Sequence, residues 1–305
     1  MTDTPPPVAM FAPLMPEARA RIASAATLML PDALAALDPA TGARVRVAVS
    51  SAMTGAPDDL LAALPNLAHI LSAGAGRDRY DLADLARRGI AFEDTGDLVT
   101  SDTAEMAVTL VLALGRDLLR ADRHVRGGAW AAEGPFPTRP RLVGARAGIL
   151  GLGRIGRLTG ERLAALGLEV GYCTRTPRDD APWPWFPDAR ALAAWADHLV
   201  VTLPGGDGTH HIVDAEVLAA LGPQGRLVNV ARGSVVDTGA LIEALAAGTI
   251  AGAALDVFEG EPAPDPRLTA FDSVILTPHA AALTTSYAAD LGDRLAARIR
   301  VLNAP

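Results

Sequence analysis

Residues 151–156 read Gly-Leu-Gly-Arg-Ile-Gly, and the four residues before them, Ala147 to Leu150, form a strand-like apolar run. In a glycine-rich chain a G-x-G-x-x-G spacing says little alone, but between a strand and a helix it constrains the fold sharply. Gly151 permits the tight turn out of the strand, Gly153 lets a pyrophosphate approach the backbone, and Gly156 lets helix and strand pack closely. A helix beginning here directs its free N–H groups toward an anion. That helix is expected to end near Gly167, with the next strand at Glu169 to Cys173. Such a strand–helix–strand unit demands a parallel sheet covered by helices, so the chain reads as α/β around a dinucleotide site.

The same alternation of short apolar runs and amphipathic stretches continues on both sides. Further strands are expected at His198 to Leu203, Arg226 to Val230, Ile250 to Leu255 and Val274 to Leu276. Helices at Asp214 to Leu221 and Thr238 to Ala247 join them. Upstream, Val45 to Val49 and Ala68 to Leu71 read as buried strands, with helices at Pro57 to Leu64 and Leu82 to Arg88. Ser101 to Arg126 reads as one long helix, capped by Ser101 or Asp102 and ended by Gly127-Gly128. The last helix is Thr284 to Leu302. These elements predict two domains: a Rossmann-type doubly wound sheet over residues 99–282, inserted in a smaller flavodoxin-like α/β substrate domain made of 1–98 and 283–305. No internal repeat of solenoid length is present.

Composition narrows the chemistry. All 27 basic residues are arginine; there is no lysine. This excludes a Walker-type phosphate loop, Schiff-base and pyridoxal-phosphate enzymes, and Ser-Lys nucleophile pairs. Any anion must be held by arginine, backbone amides or helix N-termini. A net charge of −8 and an isoelectric point near 5.2 argue against nucleic acid or an anionic membrane as partner. The longest apolar run, Met106 to Leu114, falls far short of a span of ~20 residues. MTDTPPPVAM has no signal-peptide pattern, so a cytoplasmic protein is expected. The single cysteine, Cys173, makes neither an internal disulfide nor a structural zinc site.

The tip of the strand after the fingerprint reports on the cofactor. An NAD site carries Asp or Glu about 20 residues beyond the glycines, for the ribose hydroxyls. Here the chain runs Tyr172-Cys173-Thr174-Arg175-Thr176-Pro177-Arg178, without an acid. Hydroxyls from Thr174 and Thr176 and the guanidinium of Arg175 suit a 2′-phosphate, so NADPH is expected over NADH.

Three further segments follow predicted strands: Asn229-Val230-Ala231-Arg232-Gly233, Leu255 to Pro262 (LDVFEGEP), and Thr277-Pro278-His279-Ala280. Open α/β sheets bind ligands at the carboxyl ends of their strands, so an arginine, a carboxylate and a histidine can meet in one crevice. In this order and behind GLGRIG, together with Gly74-Ala75-Gly76-Arg77-Asp78, Asp102-Thr103-Ala104-Glu105 and the Arg126 to Trp130 stretch, they resemble the D-isomer-specific 2-hydroxyacid dehydrogenases over nearly the whole chain. Arg175 and Pro204-Gly205-Gly206 look most like the NADPH-linked glyoxylate/hydroxypyruvate reductases within that family.

The resemblance implies reduction of a small 2-keto acid such as glyoxylate or hydroxypyruvate to the D-2-hydroxy acid. His279 matches the family's acid/base, a role that suits histidine near neutral pH. Glu261 matches its carboxylate partner, the position just before Pro262; Glu259, two residues earlier, does not. Arg232 matches the group that orients substrate and stabilises developing negative charge. The amides of Ala75 and Gly76 match the loop that holds the substrate carboxylate. Asp256 matches the acid beside the nicotinamide carboxamide. Thr103, Pro204 and Thr209 match cofactor-lining positions, as do Arg154 and Ile155 within the fingerprint and Ala231 just before Arg232. Ala281 and Ala282 depart from the family's small polar residues, which removes a hydroxyl from the substrate's reach. The long helix matches a dimerisation element, so a homodimer is expected, and Trp130 matches a residue reaching the partner's site. No metal is expected: His210-His211 has no cysteine or acidic partner at metal-ligand spacing and reads as surface loop, while His69, His124 and His198 sit in predicted elements.

Two rivals stand beside this reading. One is an NAD-linked phosphoglycerate-type dehydrogenase, disfavoured by Arg175 and by the lack of a C-terminal regulatory domain. The other is a non-catalytic cofactor-sensing protein on the same fold, disfavoured by the intact Arg232, Glu261 and His279.

Overall fold

A computed structural model describes residues 6–304. The chain divides into two compact units, Met1–Val99 with Leu283–Pro305, and Thr100–Ala282.

The first unit carries β1 (Pro7–Met10), β2 (Thr27–Met29), β3 (Val47–Ser51), β4 (His69–Ala73) and β5 (Ala91–Asp94). They form a parallel sheet in the order β2-β1-β3-β4-β5. β1 and β3 are almost wholly buried, which is why they read as continuous apolar runs rather than alternating ones. A core of Ala9, Phe11, Val45, Ala48, Ile70 and Leu85 among others packs beneath the sheet's helices. The last helix, Thr285–Leu302, is capped by Thr284, whose hydroxyl accepts from Tyr287 N–H at 3.0 Å. It lies on the helix Pro16–Ala23: a Cβ on Gly292 would stand 2.9 Å from Ala18 Cα, and Arg21 forms an ion pair of 2.7 Å with Asp293.

The second unit carries β6 (Arg146–Leu150), β7 (Glu169–Cys173), β8 (Trp185–Phe186), β9 (His198–Val201), β10 (Arg226–Asn229), β11 (Gly252–Leu255) and β12 (Val274–Leu276). All neighbours are parallel, in the order β12-β11-β10-β9-β6-β7-β8. The chain winds outward from β6 in both directions, so the order reverses beside β6, where the glycine fingerprint leaves the sheet. One face is covered by Leu192, Leu218, Val235 and Leu241 with their neighbours, the other by Val111, Leu163 and Leu168 with theirs. Asp188, Asp214 and Asp237 cap the helices that follow them, each accepting a backbone N–H at 2.7–3.0 Å.

The fold class is the one the alternation predicts, and most strands of the second sheet fall within a residue or two of their expected places. One helix does not. Ser101 to Arg126 is two helices, Thr100–Gly115 and Leu118–Arg126, broken where Asp117 adopts φ +54°. The Asp117 carboxylate accepts from Arg120 at 2.9 Å and from Arg139 at 2.8 Å. Gly115 lies so close to Leu142 that a Cβ would stand 2.6 Å from it. The bend is therefore set by residues some 20 positions downstream, out of reach of helical periodicity. A short helix, Ala129–Glu133, follows and carries Trp130.

Candidate active site

Around the fingerprint, the second unit has a crevice of about 920 Å³ lined by Gly151, Gly153, Thr174, Arg175, Thr176, Pro204 and Thr209 among others. Gly151 has φ +103°, and a Cβ there would stand 2.8 Å from Leu203 N. At Gly156 a Cβ would fall 2.0 Å from the Gly151 carbonyl oxygen. Gly153 differs: among the described residues, a Cβ would meet no atom within 4 Å beyond its own chain neighbours. Packing does not require glycine there, but close approach of a ligand would. Gly153 opens the helix Arg154–Ala165 without a side-chain cap, so its first N–H groups are available to an anion. Arg154 and Arg175 are exposed. Arg175 makes no hydrogen bond or ion pair among the described residues, whereas Arg178 and Arg157 both pair with Asp180, at 3.2 and 2.6 Å.

Two of the expected polar contacts are already used. The Thr174 hydroxyl donates to Thr176 O at 2.7 Å, and the Thr209 hydroxyl to Pro204 O at 2.8 Å. Their protons shape the rim of the crevice rather than point outward. Cys173, at its floor, has a thiol pushed up to about 11 by burial and by Asp188, which leaves it unreactive. Thr103 and Ala231 are buried, on the helix Thr100–Gly115 and in the turn after β10.

The three catalytic candidates stand after β10, β11 and β12, which are neighbours in the sheet. After β10, the buried Asn229 side chain accepts from Ala231 N–H at 3.0 Å and donates to Arg232 O at 2.9 Å. It clamps the turn that presents Arg232. At the next residue, Gly233, a Cβ would stand 1.9 Å from the Phe258 carbonyl carbon and 2.3 Å from Glu259 N. The arginine turn thus lies directly on the loop that carries the carboxylates.

On that loop, Glu261 accepts from Phe258 N–H at 2.9 Å with one oxygen and meets His279 Nδ1 at 2.8 Å with the other. Burial alone would raise its carboxyl. The hydrogen bonds from His279 and Phe258, with the charges of His279 and Arg232, outweigh burial and hold it below the ordinary carboxylate range. An ionised carboxylate only accepts, so Nδ1 carries the proton and Nε2 is the ring nitrogen left for chemistry. His279 itself has φ +50°, a conformation that non-glycine residues rarely hold without support.

Asp256 supplies that support. It is 1 % exposed and accepts from the Thr277 hydroxyl at 2.6 Å, Ala280 N–H at 2.8 Å and Ala281 N–H at 3.0 Å. The backbone carbonyl of Asp256 also accepts from His279 N–H at 2.8 Å. Expected beside the cofactor, Asp256 spends these bonds on the histidine loop. Neither its role nor that of Asn229 is visible in spacing; a buried polar residue at a strand end is the only hint.

In the first unit, Gly74 (φ +101°) turns the chain at the carboxyl end of β4, and its N–H donates to the Thr95 hydroxyl at 3.0 Å. The N–H groups of Ala75 and Gly76 that follow have no partner among the described residues. Arg77 is tied to Asp94 and lies over the Phe92 ring.

One expectation needs correction. His211 does have an acidic partner: its Nε2 lies 2.7 Å from Glu259 Oε1. The two are 48 positions apart, which no local spacing rule detects.

The family model for D-isomer-specific 2-hydroxyacid dehydrogenases, NAD-binding domain, matches residues 108–281. Glyoxylate/hydroxypyruvate reductase A HPR2 of Arabidopsis thaliana is 41% identical over 235 residues, 77% of this chain and 75% of that protein. A 2-ketogluconate reductase of Gluconobacter oxydans is 36% identical over 279 residues, 92% and 89% of the two chains. Among solved structures, an NADPH-dependent glyoxylate/hydroxypyruvate reductase from Sinorhizobium meliloti, in complex with NADP and malonate, superposes with a TM-score of 0.88. It is 37% identical, and the match covers 96% of this chain and 92% of that one.

Proposed function

The chain belongs to the D-isomer-specific 2-hydroxyacid dehydrogenase family, and from that premise we propose that it reduces a small 2-keto acid, glyoxylate, hydroxypyruvate or a close analogue, to the D-2-hydroxy acid with NADPH. The observation that carries this reading is the Glu261–His279 pair of 2.8 Å, with Arg232 presented beside it from the neighbouring strand. A protein that only sensed a cofactor would need none of the three.

The crevice fits a dinucleotide: Gly153, which packing does not require to be glycine, stands at an open helix N-terminus. The amides there, with Gly151, Gly153, Arg154, Ile155 and Gly156, would hold the pyrophosphate. Arg175 would hold the 2′-phosphate, being the guanidinium at the strand tip that no acid neutralises. Thr103, Pro204, Thr209, Ala231 and Asp256 would shape the rest of the site. When bound, the reduced nicotinamide supplies the hydride that adds to the keto carbon.

The chain's own residues do the remainder. Arg232 orients the keto acid and offsets negative charge as it develops on the carbonyl oxygen. His279 delivers the proton to that oxygen from Nε2, while Glu261 holds Nδ1–H and fixes the ring. The free amides of Ala75 and Gly76 are donors suited to a carboxylate. The exposed apolar side chains of Leu118, Val125 and Trp130 support a homodimer built on the segment 118–133.

Initial rates with a panel of 2-keto acids and both reduced cofactors test the reading. Turnover with NADPH at a higher kcat/KM than with NADH is expected, and Arg175→Ala should erase that preference. A clear preference for NADH removes the NADPH assignment. Tight cofactor binding with no keto acid turned over removes the enzymatic reading altogether.

A further inference from the structure

His210, His211 and Glu259 take no part in the proposed reduction, yet they converge. Each offers a ligand atom, and these atoms all lie within 4.8 Å of one another. His210 and His211 follow the short turn Asp207–Thr209 after β9, and Glu259 stands in the loop after β11. The two imidazoles stack with centroids 3.9 Å apart. Glu259 Oε1 is 2.7 Å from His211 Nε2, while Oε2 accepts from Thr238 N–H at 3.1 Å. Asp237 stands alongside, 3.9 Å from His211 Nδ1.

The His211–Glu259 hydrogen bond accounts for those two residues as a tie between loops. It does not account for the second imidazole beside them. We propose that His210, His211 and Glu259 form a site for a divalent transition-metal ion such as Zn²⁺ or Co²⁺.

The chemistry is that of the donor set. Two neutral imidazoles and one carboxylate suit Zn²⁺, Co²⁺ or Ni²⁺ and are poor ligands for Mg²⁺ or Ca²⁺. Metal–ligand bonds of about 2.0–2.2 Å put tetrahedral donor atoms roughly 3.4 Å apart. The His211–Glu259 pair, now 2.7 Å apart, needs to open by about 0.7 Å as the ion takes the place of the shared proton. His210 is exposed and so has room to swing its ring inward. Two features hold the ligands in place. The Thr238 N–H orients the Glu259 carboxylate, and His211 N–H donates to Ser234 O at 2.9 Å, which fixes its backbone at φ +51°. Water would complete the coordination.

Titration of the full-length protein with Co²⁺, followed by its visible d–d absorption, tests this independently of any activity. One Co²⁺ per chain is expected, displaced by Zn²⁺ and indifferent to excess Mg²⁺. His210→Ala, an exposed change that leaves the loop tie intact, and His211→Ala should each weaken binding by roughly 10-fold or more. Circular dichroism and thermal melting would confirm that the variants fold. Absence of stoichiometric binding overturns the proposal. So does binding that survives His210→Ala but is lost in His279→Ala, which would place the ion at the catalytic pair.

Discussion

At the start of β9, His198 is 2 % exposed, and its Nδ1 has no hydrogen-bond partner among the described residues. Burial, reinforced by the charge of Arg226, pushes its pKa down to about 4. The folded protein therefore holds this ring neutral while the unfolded chain protonates it near pH 6.5. Stability from His198 is complete above pH 6.5 and is lost as pH falls toward 4, because the unfolded state then binds the extra proton. Urea unfolding of the protein and of His198→Gln between pH 7 and 4.5 should show a shallower pH slope in the variant; equal slopes would deny His198 this role. Glu261 works in the same direction at lower pH. Its depressed carboxyl contributes stability that is present above the ordinary carboxylate range and lost as pH falls through its lowered value. Replacing it by Gln keeps the shape but removes the charge that holds His279. We expect kcat to fall by 10²-fold or more while cofactor affinity measured by fluorescence stays within about 2-fold of the parent, a small effect on the RT scale. Unchanged turnover in Glu261→Gln would remove the carboxylate from the mechanism.

Among the elements, the loops after β10, β11 and β12 behave as one construction. Asn229 clamps the first, Gly233 lets it lie against the second, and Asp256 reaches from the second to hold the third. The closest part is Gly233, because a Cβ would strike the backbone of Phe258, which cannot swing aside as a side chain can. Gly233→Ala should cost about 1–3 kcal/mol of stability from overpacking. It should lower kcat more than Gly239→Ala, since it displaces Glu261 relative to Arg232; Gly239 is a helical control whose Cβ would come no nearer than 3.3 Å to another residue. Equal kcat in the two variants would count against the coupling. The helix broken at Asp117 shows the opposite case. Its first half is buried on an apolar face, but Leu118–Arg126 buries no residue of its own. Periodicity alone joined the two because it cannot see Arg139 and Leu142 arriving from the following loop.

At the scale of the molecule, the segment 118–133 exposes several apolar side chains: Leu118 at 58 %, Val125 at 55 % and Trp130 at 62 %. Large apolar groups this close together usually mark a contact surface. Light scattering should give about twice the chain mass of 31.5 kDa, and Leu118→Asp with Trp130→Ala should shift it toward the monomer. A stable monomer in the parent protein would remove the dimer.

The sequence by itself determined the parallel α/β class and the place of the dinucleotide crevice, and it pointed to Arg232, Glu261 and His279 as candidates just past three strands, their roles implied by the family resemblance. Each of these depends on residues within a few positions of one another: a glycine turn between strand and helix, or a polar residue just past a strand. The absence of lysine limited the anion-binding groups to arginines and backbone amides, and the crevice offers those. Only the tertiary structure decided which groups remain available. It committed the hydroxyls of Thr174 and Thr209 to backbone carbonyls, turned Asp256 into the support of the histidine loop, left Arg175 without an acid and joined His211 to Glu259. These outcomes rest on hydrogen bonds and packing between positions far apart in the chain, which neither spacing nor periodicity records.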